Sequence, residues 1–433
     1  MLFRIPFLLF LLPYSYLFIS CPIQHKSLMI RNYCLFLLLF LAGYISMAQE
    51  FSQWHGPNRD GKYIETGLLK SWPLGGPTML WSYTGLGEGH ASAAVTVDRI
   101  YTAGMVGNIG FIYSFSLNGK LVWKVAYGLE WFESWPGTRS TPLIFDGKLY
   151  FMSGFGKLIC LDSRDGTELW KVDIMKEFDG RNIQWGITEN LLIDSDKLFC
   201  TAGGTEHNVV ALNRNTGKLI WSSGGNGERS AYCSPQLIHL KNRTLLVTMT
   251  EASILGIDAA NGKLLWRHPQ TNKYSVHANT PYFQNGNLYC VSGYGTGGVM
   301  LKISEDGTAK QEIWRNTSLD NRMGGFIVLG DRIYGSDDEN KAWFVVDWKT
   351  GTDIYSEKIL SRGNVIYADG MLYCYGDSGE VALVEPTTSG FRKISSFQVP
   401  LGTFQHWAHL VIRDGRLYVR HGNSLMVYDI RSK

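Results

Sequence analysis

The sequence lacks most of the groups with which proteins hold haem or metal. No two cysteines are adjacent, and no Cys-x-x-Cys-His motif for haem attachment occurs among the 7 cysteines of the 433 residues. The 10 histidines show no His-x-His or i, i+4 spacing, and only His406 and His409 lie close together in the sequence. These absences argue against a haem domain and against a histidine-based metal centre.

The chain also lacks an excess of basic residues once its first segment is set aside. The whole chain has 41 Lys and Arg against 38 Asp and Glu, a formal net charge of +3. Residues 1–48 contain Arg4, Lys26 and Arg31 and no acidic residue, so the remainder has 38 basic and 38 acidic side chains. A chain of zero net charge lacks the electrostatic attraction that drives nucleic-acid binding, and we exclude nucleic acid as a partner.

The two long hydrophobic runs lie in the first 48 residues, and each is shorter than the roughly 20 residues of a membrane-spanning helix. Residues 5–20 are interrupted by Pro13, and residues 33–45 follow Arg31 and lead into Ser46-Met47-Ala48. A basic start, a short apolar stretch and a small-x-Ala ending are typical of a cleaved signal peptide. We predict a leader at 1–48, with Met29 as an alternative start, and a periplasmic or extracellular protein without a transmembrane domain.

Two alternatives stay open for this leader. One is an uncleaved membrane anchor. The other is a lipoprotein signal at Phe18-Ile19-Ser20-Cys21, in which Phe stands where Leu is usual.

A repeated hairpin is the feature that the sequence has in abundance. Residues 211–221 read ALNRNTGKLIW, and similar stretches read CLDSRDGTELW at 160–170, GIDAANGKLLW at 256–266 and VVDWKTGTDIY at 345–355. A second repeat, such as NGNLYC at 285–290 or DGMLYC at 369–374, runs in phase with the first and occurs eight times. Asp-Gly and Asn-Gly turns between alternating apolar residues predict β-hairpins.

Eight units of four short strands predict an all-β fold, an eight-bladed β-propeller over residues 78–433. The last unit has three strands, whereas an unmatched strand, TMLWSY at 78–83, precedes the first full unit. We expect this N-terminal strand to pair with the C-terminal blade and close the ring, which removes exposed strand edges. Residues 49–77 form an N-terminal arm, which we predict to pack on the rim of the propeller.

The hairpin pattern consists of a small residue, Leu, Asp or Asn, three residues, Gly, Lys or Thr, and a terminal Trp. It resembles the tryptophan-docking motif of the pyrroloquinoline-quinone (PQQ) repeat family, and the resemblance covers residues 78–433. No Trp-Asp dipeptide of WD-type propellers occurs. We expect the terminal Trp, such as Trp221, to pack between blades over the small residue Ala211, which is a structural role.

The resemblance implies two kinds of function. The family includes quinoprotein dehydrogenases, which hold PQQ and Ca²⁺ over the channel, and cofactor-free propellers such as the scaffold lipoprotein of outer-membrane β-barrel assembly. This chain lacks the adjacent Cys-Cys pair of the dehydrogenases and is short for that class. We expect an exported binding or scaffold protein without a cofactor, with a small-molecule or carbohydrate ligand or an envelope protein as partner. The alternatives are a PQQ- and calcium-dependent dehydrogenase of alcohols or sugars and an outer-membrane assembly scaffold.

The candidate binding site lies on one face of the predicted propeller. If neighbouring strands alternate in direction, the connections from the fourth strand of one blade to the first of the next share a face, opposite the tight turns. These connections carry Arg, Trp and His side chains from several blades, which suit stacking and orientation of a ligand. The candidate ligand-binding residues are His90, Arg139, Trp185, Glu189, Tyr232, His277, Asn279, Arg322, Arg362, His406 and Trp407. No catalytic residue and no metal ligand is assigned.

Overall fold

The computed structural model describes residues 51–432, and this part is built almost entirely of β-strands. The predicted leader, the alternative start at Met29 and the candidate lipoprotein site lie outside the described residues. The strands form eight sheets arranged as blades, which confirms the predicted all-β, eight-bladed propeller. Within residues 51–432 no helix is long and apolar enough to cross a membrane.

The first three strands precede the first blade: β1 (Phe51–Ser52), β2 (Lys62–Tyr63) and β3 (Thr78–Tyr83). Blade 1 contains β4 (Ala94–Val95), β5 (Arg99–Val106), β6 (Ile109–Ser116) and β7 (Leu121–Leu129). Blade 2 contains β8 (Leu143–Phe145), β9 (Lys148–Met152), β10 (Lys157–Asp162) and β11 (Glu168–Asp173), followed by the short helix α1 (Ile174–Glu177). Blade 3 contains β12 (Leu192–Asp194), β13 (Lys197–Thr201), β14 (Val209–Asn213) and β15 (Leu219–Ser223).

Blade 4 contains β16 (Gln236–His239), β17 (Thr244–Thr250), β18 (Ser253–Asp258) and β19 (Leu264–Pro269). Blade 5 contains β20 (Tyr282–Gln284), β21 (Asn287–Val291), β22 (Gly298–Ile303) and β23 (Lys310–Asn316). Blade 6 contains β24 (Ile327–Leu329), β25 (Arg332–Ser336), β26 (Trp343–Asp347) and β27 (Asp353–Glu357). Blade 7 contains β28 (Gly363–Ala368), β29 (Met371–Gly376), β30 (Glu380–Thr387) and β31 (Gly390–Gln398). Blade 8 contains β32 (Val411–Arg413), β33 (Arg416–His421) and β34 (Ser424–Asp429).

The eighth blade combines strands from both ends of the described chain. Strand β3 pairs antiparallel with β34, so Trp81 lies opposite Val427 and Tyr83 lies opposite Leu425. The sheet order is β3-β34-β33-β32, in which the N-terminal strand occupies the outer edge. This pairing joins the ring without a separate closing element.

Docking tryptophans link six of the eight pairs of neighbouring blades, and Trp221 makes two kinds of contact with the next blade. The Trp221 side chain is buried, and its Nε1 donates to the carbonyl of Ala259 in blade 4 over 3.1 Å. Its ring lies on Gly262, where an added Cβ would come within 2.5 Å of the indole. Gly262 is therefore required at this position for two reasons: its φ of 79° is left-handed, and a side chain would collide with the indole of the preceding blade.

The same arrangement recurs around the ring. The indole Nε1 of each docking Trp donates to a carbonyl in the turn of the next blade for Trp81, Trp123, Trp170, Trp266 and Trp314. Since each contact joins one blade to the next, the repeat motif specifies the contacts between blades as well as the hairpins within them.

The N-terminal arm does not lie where the sequence led us to expect it. Strand β1 pairs antiparallel with β8, the innermost strand of blade 2, and β2 pairs in parallel with β28, the innermost strand of blade 7. Residues 51–63 therefore run across the central channel, and the prediction of a rim position is wrong for them. The innermost strands have free hydrogen-bonding edges facing the channel, and the arm pairs with two of these edges. Leu68 and Trp72 continue into the core shared by blades 7 and 8.

Candidate functional site

A cavity of about 410 Å³ opens where the connections between blades converge on the channel. We call it the channel pocket. Its wall is mainly aromatic and comes from the arm and from connections of several blades. The lining residues are Trp54, His90, Trp135, Arg139, Trp185, Thr188, Asn190, Tyr232, Ser234, Tyr274, Val276, Ala278, Tyr294, Arg322, Met323, Trp407 and His409.

Six of the eleven candidate residues line this pocket. All six lie on the long connections between blades, and their side chains face the channel mouth. They are His90, Arg139, Trp185, Tyr232, Arg322 and Trp407. The structure thus brings together side chains that are up to 317 positions apart in the sequence.

Two further candidates lie behind the wall and are fully buried. Glu189 accepts a hydrogen bond from the Thr201 amide at 3.0 Å, and burial raises the pKa of its carboxyl to about 8. Asn279 donates to the Asn321 carbonyl at 2.6 Å and accepts from the Gly325 amide at 3.0 Å. The amide of Asn279 therefore joins blades 5 and 6 and does not reach the pocket.

The remaining three candidates also lie outside the wall. His277 is completely buried, and its backbone amide donates to the Ala231 carbonyl. Arg362 is held by ion pairs with two carboxylates, including Asp338 at 2.5 Å. His406 stacks on His421 with ring centroids 3.6 Å apart, so its ring is already packed within the protein.

Several wall residues were missing from the candidate set. Trp135 and His409 lie on the connections where the candidates were sought, and Tyr274 and Tyr294 are aromatic residues of other connections on the same face. An aromatic residue in a long connection was the signal that could have found these four. Trp54 comes from the arm, and nothing in its local sequence points to the channel.

Three aromatic residues of the wall have strained backbones. Trp135, Tyr232 and Tyr294 have φ values of 47°, 74° and 59°, in the left-handed region that bulky residues avoid. Each such residue costs on the order of 1–3 kcal/mol and persists only where its surroundings impose it. All three line the channel pocket, whereas Phe404, which has the same backbone conformation, does not.

Arg139 is the cation of the pocket wall without an ion pair. Its side chain is 9% exposed and donates to the Tyr232 hydroxyl at 2.7 Å and to the carbonyls of Ser134 and Trp135 at 2.6 and 2.7 Å. In the part of the chain that the structure describes, no carboxylate forms a salt bridge with it, and Nε has no hydrogen-bond partner. Arg322, by contrast, pairs with Asp338 at 2.9 Å.

Glu130 is a buried carboxyl that interacts electrostatically with Arg139, but its hydrogen bonds are made to other groups. Glu130 accepts hydrogen bonds from the Tyr127 hydroxyl at 2.5 Å and from the Trp131 and Gly154 amides at 2.7 Å. Burial raises its pKa, although Arg139 acts in the opposite direction. A buried guanidinium that neutral groups alone hydrogen-bond keeps its positive charge available to an anion.

The two histidines of the wall are neutral. Burial lowers the pKa of His90 and of His409 to about 3. His409 Nε2 lies 3.1 Å from the Met323 carbonyl, which can only accept, so Nε2 carries the hydrogen and Nδ1 is an acceptor. His90 packs on Trp407 with ring centroids 4.9 Å apart. These rings contribute flat surfaces to the wall without adding charge, and their unpaired ring nitrogens are buried.

The donor set of the pocket does not fit a calcium ion. Calcium takes six to eight oxygen ligands, with carboxylates foremost among them. The pocket wall contains no Asp or Glu. Across residues 51–432, no group of three or more His, Cys, Asp or Glu side chains is arranged to hold a metal.

The fold and the pocket define a β-propeller with a ligand-sized cavity at the mouth of a closed channel. A family model described as outer membrane protein assembly factor BamB matches residues 110–357. The chain belongs to this family of PQQ-like repeat propellers, as its docking motif predicted.

Its relatives include quinoprotein dehydrogenases and BamB proteins. The quinoprotein alcohol dehydrogenase PedH of Pseudomonas putida is 26% identical over 177 residues, which cover 38% of this chain and 28% of that protein. The BamB protein of Kangiella koreensis is 27% identical over 139 residues, covering 31% of this chain and 32% of the relative. The matched region thus spans about a third or less of these curated relatives.

The same fold occurs in solved structures at low sequence identity. The crystal structure of a quinohemoprotein alcohol dehydrogenase from Comamonas testosteroni has a TM-score of 0.63 and 11% identity. The match covers 91% of this chain and 82% of that structure. This likeness shows the propeller fold alone.

Proposed function

We propose that this protein is an exported binding protein that holds a small acidic carbohydrate in the channel pocket. The buried, unpaired guanidinium of Arg139 carries the proposal, because a ligand carboxylate would supply its missing counter-ion. Tryptophan and tyrosine rings would stack on the apolar face of a sugar ring. The predicted export of the chain and the propeller fold that it shares with BamB and with quinoprotein relatives agree with such a binding protein.

The polar groups of the wall suit the hydroxyls of such a ligand. Thr188, Asn190 and Ser234 place short polar side chains beside the aromatic rings. A cavity of about 410 Å³ is in the range of pockets for small ligands. A neutral aromatic compound would leave Arg139 without a counter-ion.

Calorimetric titration tests the proposal. The protein is titrated with glucuronate, galacturonate and, as the neutral comparison, glucose. We expect a uronate to bind and glucose to bind at least about tenfold more weakly, since a hydrogen bond to a charged group contributes about 1.5–3 kcal/mol. Arg139→Met should remove this preference for the acid.

Arg164→Met is the matched control for this titration, because Arg164 lies in an exposed turn of blade 2 and does not line the pocket. It should bind uronate as the unmodified protein does. Equal uronate affinity in Arg139→Met and Arg164→Met would contradict the proposal, and so would the absence of uronate binding.

A role as an outer-membrane assembly scaffold is a second candidate, which the family description favours. Two phenylalanines on the pocket face are solvent-exposed, Phe132 at 41% and Phe404 at 59%. A scaffold would use such side chains to contact an envelope protein. Affinity capture from envelope extracts with the unmodified protein and with a Phe132→Ser, Phe404→Ser variant tests this role. A specific protein recovered only with the unmodified chain would favour it over small-ligand binding.

A quinone-dependent dehydrogenase is the third candidate, which the similarity to quinoprotein relatives favours. Because the pocket wall has no carboxylate for calcium, we expect no stoichiometric quinone spectrum after incubation with PQQ and Ca²⁺. We also expect no dye-linked oxidation of alcohols. A stoichiometric quinone spectrum accompanied by turnover would establish this function instead.

A further inference from the structure

The arm residues 51–63 contact every blade of the propeller. The contacts lie on the innermost strands or directly before them, so together they surround the channel. Two contacts are strand pairings, β1 with β8 in blade 2 and β2 with β28 in blade 7. Hydrogen bonds join Ser52 Oγ to the Val95 amide in blade 1, Arg59 to the Asn190 and Leu191 carbonyls before blade 3, and the Asn58 carbonyl to Gln236 in blade 4. Lys62 bonds the Tyr282 hydroxyl in blade 5, Gly61 packs on Ile327 in blade 6, and the Tyr63 hydroxyl bonds the Leu410 carbonyl before blade 8.

Trp54 enters the channel pocket from this arm. Its side chain is 7% exposed, and the exposed part belongs to the pocket wall. The ring stacks on His55 with centroids 4.7 Å apart and meets the edge of His409 at 4.9 Å. All other lining residues come from the blades or their connections, so Trp54 lies on the channel side of the ligand space.

We propose that the arm is a component of the binding site, in which Trp54 forms the floor of the channel pocket and contacts the ligand. The ligand then enters from the face of the long connections and stacks on Trp54 at the closed end. The part about the ligand rests on the proposed carbohydrate function, whereas the position of Trp54 as an accessible floor does not.

Arg59 is the residue that positions this floor. It is 3% exposed and donates to the carbonyls of Asn190 at 2.9 Å and Leu191 at 2.8 Å. A third hydrogen bond goes to Gln53 Oε1 at 3.2 Å, beside Trp54 in the arm. Since Asn190 also lines the pocket, Arg59 fixes the floor relative to the wall.

Iodide quenching of tryptophan fluorescence tests the floor without any knowledge of the ligand. Iodide is an anion that Arg139 attracts, and it quenches only rings that it can approach. Trp54→Phe should lower the fraction of emission that iodide quenches. Trp72→Phe is the matched control, because Trp72 is also an arm residue, is 5% exposed and lies in the core of blades 7 and 8 outside the pocket.

Titration with glucuronate then tests the contact. Trp54→Ala should weaken glucuronate binding about tenfold at a temperature where thermal melting shows the variant folded, and Trp54→Phe should restore most of the affinity. Arg59→Met should weaken binding because Trp54 is then no longer held in position. The preference for uronate over glucose should stay unchanged, unlike in Arg139→Met.

The outcomes separate this inference from the proposed function. A reduced quenchable fraction in Trp54→Phe, together with an unmodified protein that binds no glucuronate, would support the floor and reject the carbohydrate function. A quenchable fraction that is unchanged in Trp54→Phe, or equally changed in Trp72→Phe, would overturn the floor. Glucuronate binding of the same affinity in Trp54→Ala and the unmodified protein would overturn the contact.

Discussion

Replacing Trp221 with alanine tests how the blades are held together. Trp221 lies on β15 of blade 3, and its side chain is 8% exposed. Its Nε1 is bonded to the Ala259 carbonyl at 3.1 Å, and its ring covers Gly262 in the next blade. Alanine would leave a cavity between blades 3 and 4 and a buried carbonyl without its donor.

The expected loss follows from the area that the indole buries. A docked Trp removes on the order of 200 Å² from water, which at about 25 cal/mol per Å² corresponds to about 5 kcal/mol. Core Trp-to-Ala substitutions cost about 3–5 kcal/mol, so we expect the free energy of unfolding to fall by about 4 kcal/mol. With an unfolding entropy of about 2.1 cal/mol/K per residue over roughly 380 residues, Tm should fall by about 5 °C.

Urea denaturation and calorimetry measure this loss. Leu219→Ala is the control, since Leu219 lies on the same strand but is 44% exposed, and it should change stability by less than about 0.5 kcal/mol. Glucuronate affinity should stay the same in both variants, because neither residue lines the pocket. A Trp221→Ala protein within 1 kcal/mol of the unmodified protein would refute the docking role.

Two further substitutions test the channel. The pKa of His409 is about 3 when folded and 6.5 ordinarily, so its contribution to stability is present at neutral pH and is lost as the pH falls below about 6.5. This loss is about 2 kcal/mol between pH 7 and pH 5. In urea denaturation, the free energy of unfolding of His409→Phe should therefore fall between these pH values by about 2 kcal/mol less than that of the unmodified protein. An equal fall in both proteins would contradict a buried, neutral His409. In Gly61→Ala the new Cβ would lie 2.6 Å from Ile327 Cδ1 and 2.7 Å from His55 Nε2, so it should lower Tm more than Gly330→Ala, where φ is also positive and no atom lies within 4 Å. Equal melting temperatures for the two alanine variants would show that the arm is not held tightly.

The propeller could be predicted because its determinants are local and repeated. Asp-Gly and Thr-Gly turns fix each hairpin, and strand alternation fixes which side chains are buried. The contact of Trp221 with Gly262 was not predicted, although both residues were recognised as parts of the motif. It joins the terminal Trp of one repeat to the turn Gly of the next, so the period itself could have revealed it.

The position of the arm could not be predicted for the opposite reason. Strands β1 and β2 have two residues each, which is too short for a periodic pattern. The partners of the arm lie far away in the chain; Arg59 and the Asn190 carbonyl, for example, are 131 residues apart. Only the assembled ring creates the edges with which the arm pairs.

Three of the five errors in the candidate site, Glu189, His277 and Asn279, have a common geometric cause. Thr188 and Asn190 line the pocket and Glu189 between them does not; likewise Ala278 lines it, whereas His277 and Asn279 do not. Neighbouring side chains of an extended segment point to opposite sides. The connections carry no hydrophobic alternation that would show which side faces the channel, so polar residues of both sides entered the candidate set.

The pocket wall destabilises the folded state more than an ordinary protein surface would. Trp135, Tyr232 and Tyr294 hold left-handed backbones, and Arg139 is buried without a counter-ion. The docking motif needs none of these features, because its contacts lie on the blade strands and in their turns. Strain and unpaired charge that coincide in one cavity are what a ligand could relieve, whereas a wall serving only packing would favour neutral, relaxed residues. The energetic cost of these four residues therefore supports a binding site, as does the shape of the cavity.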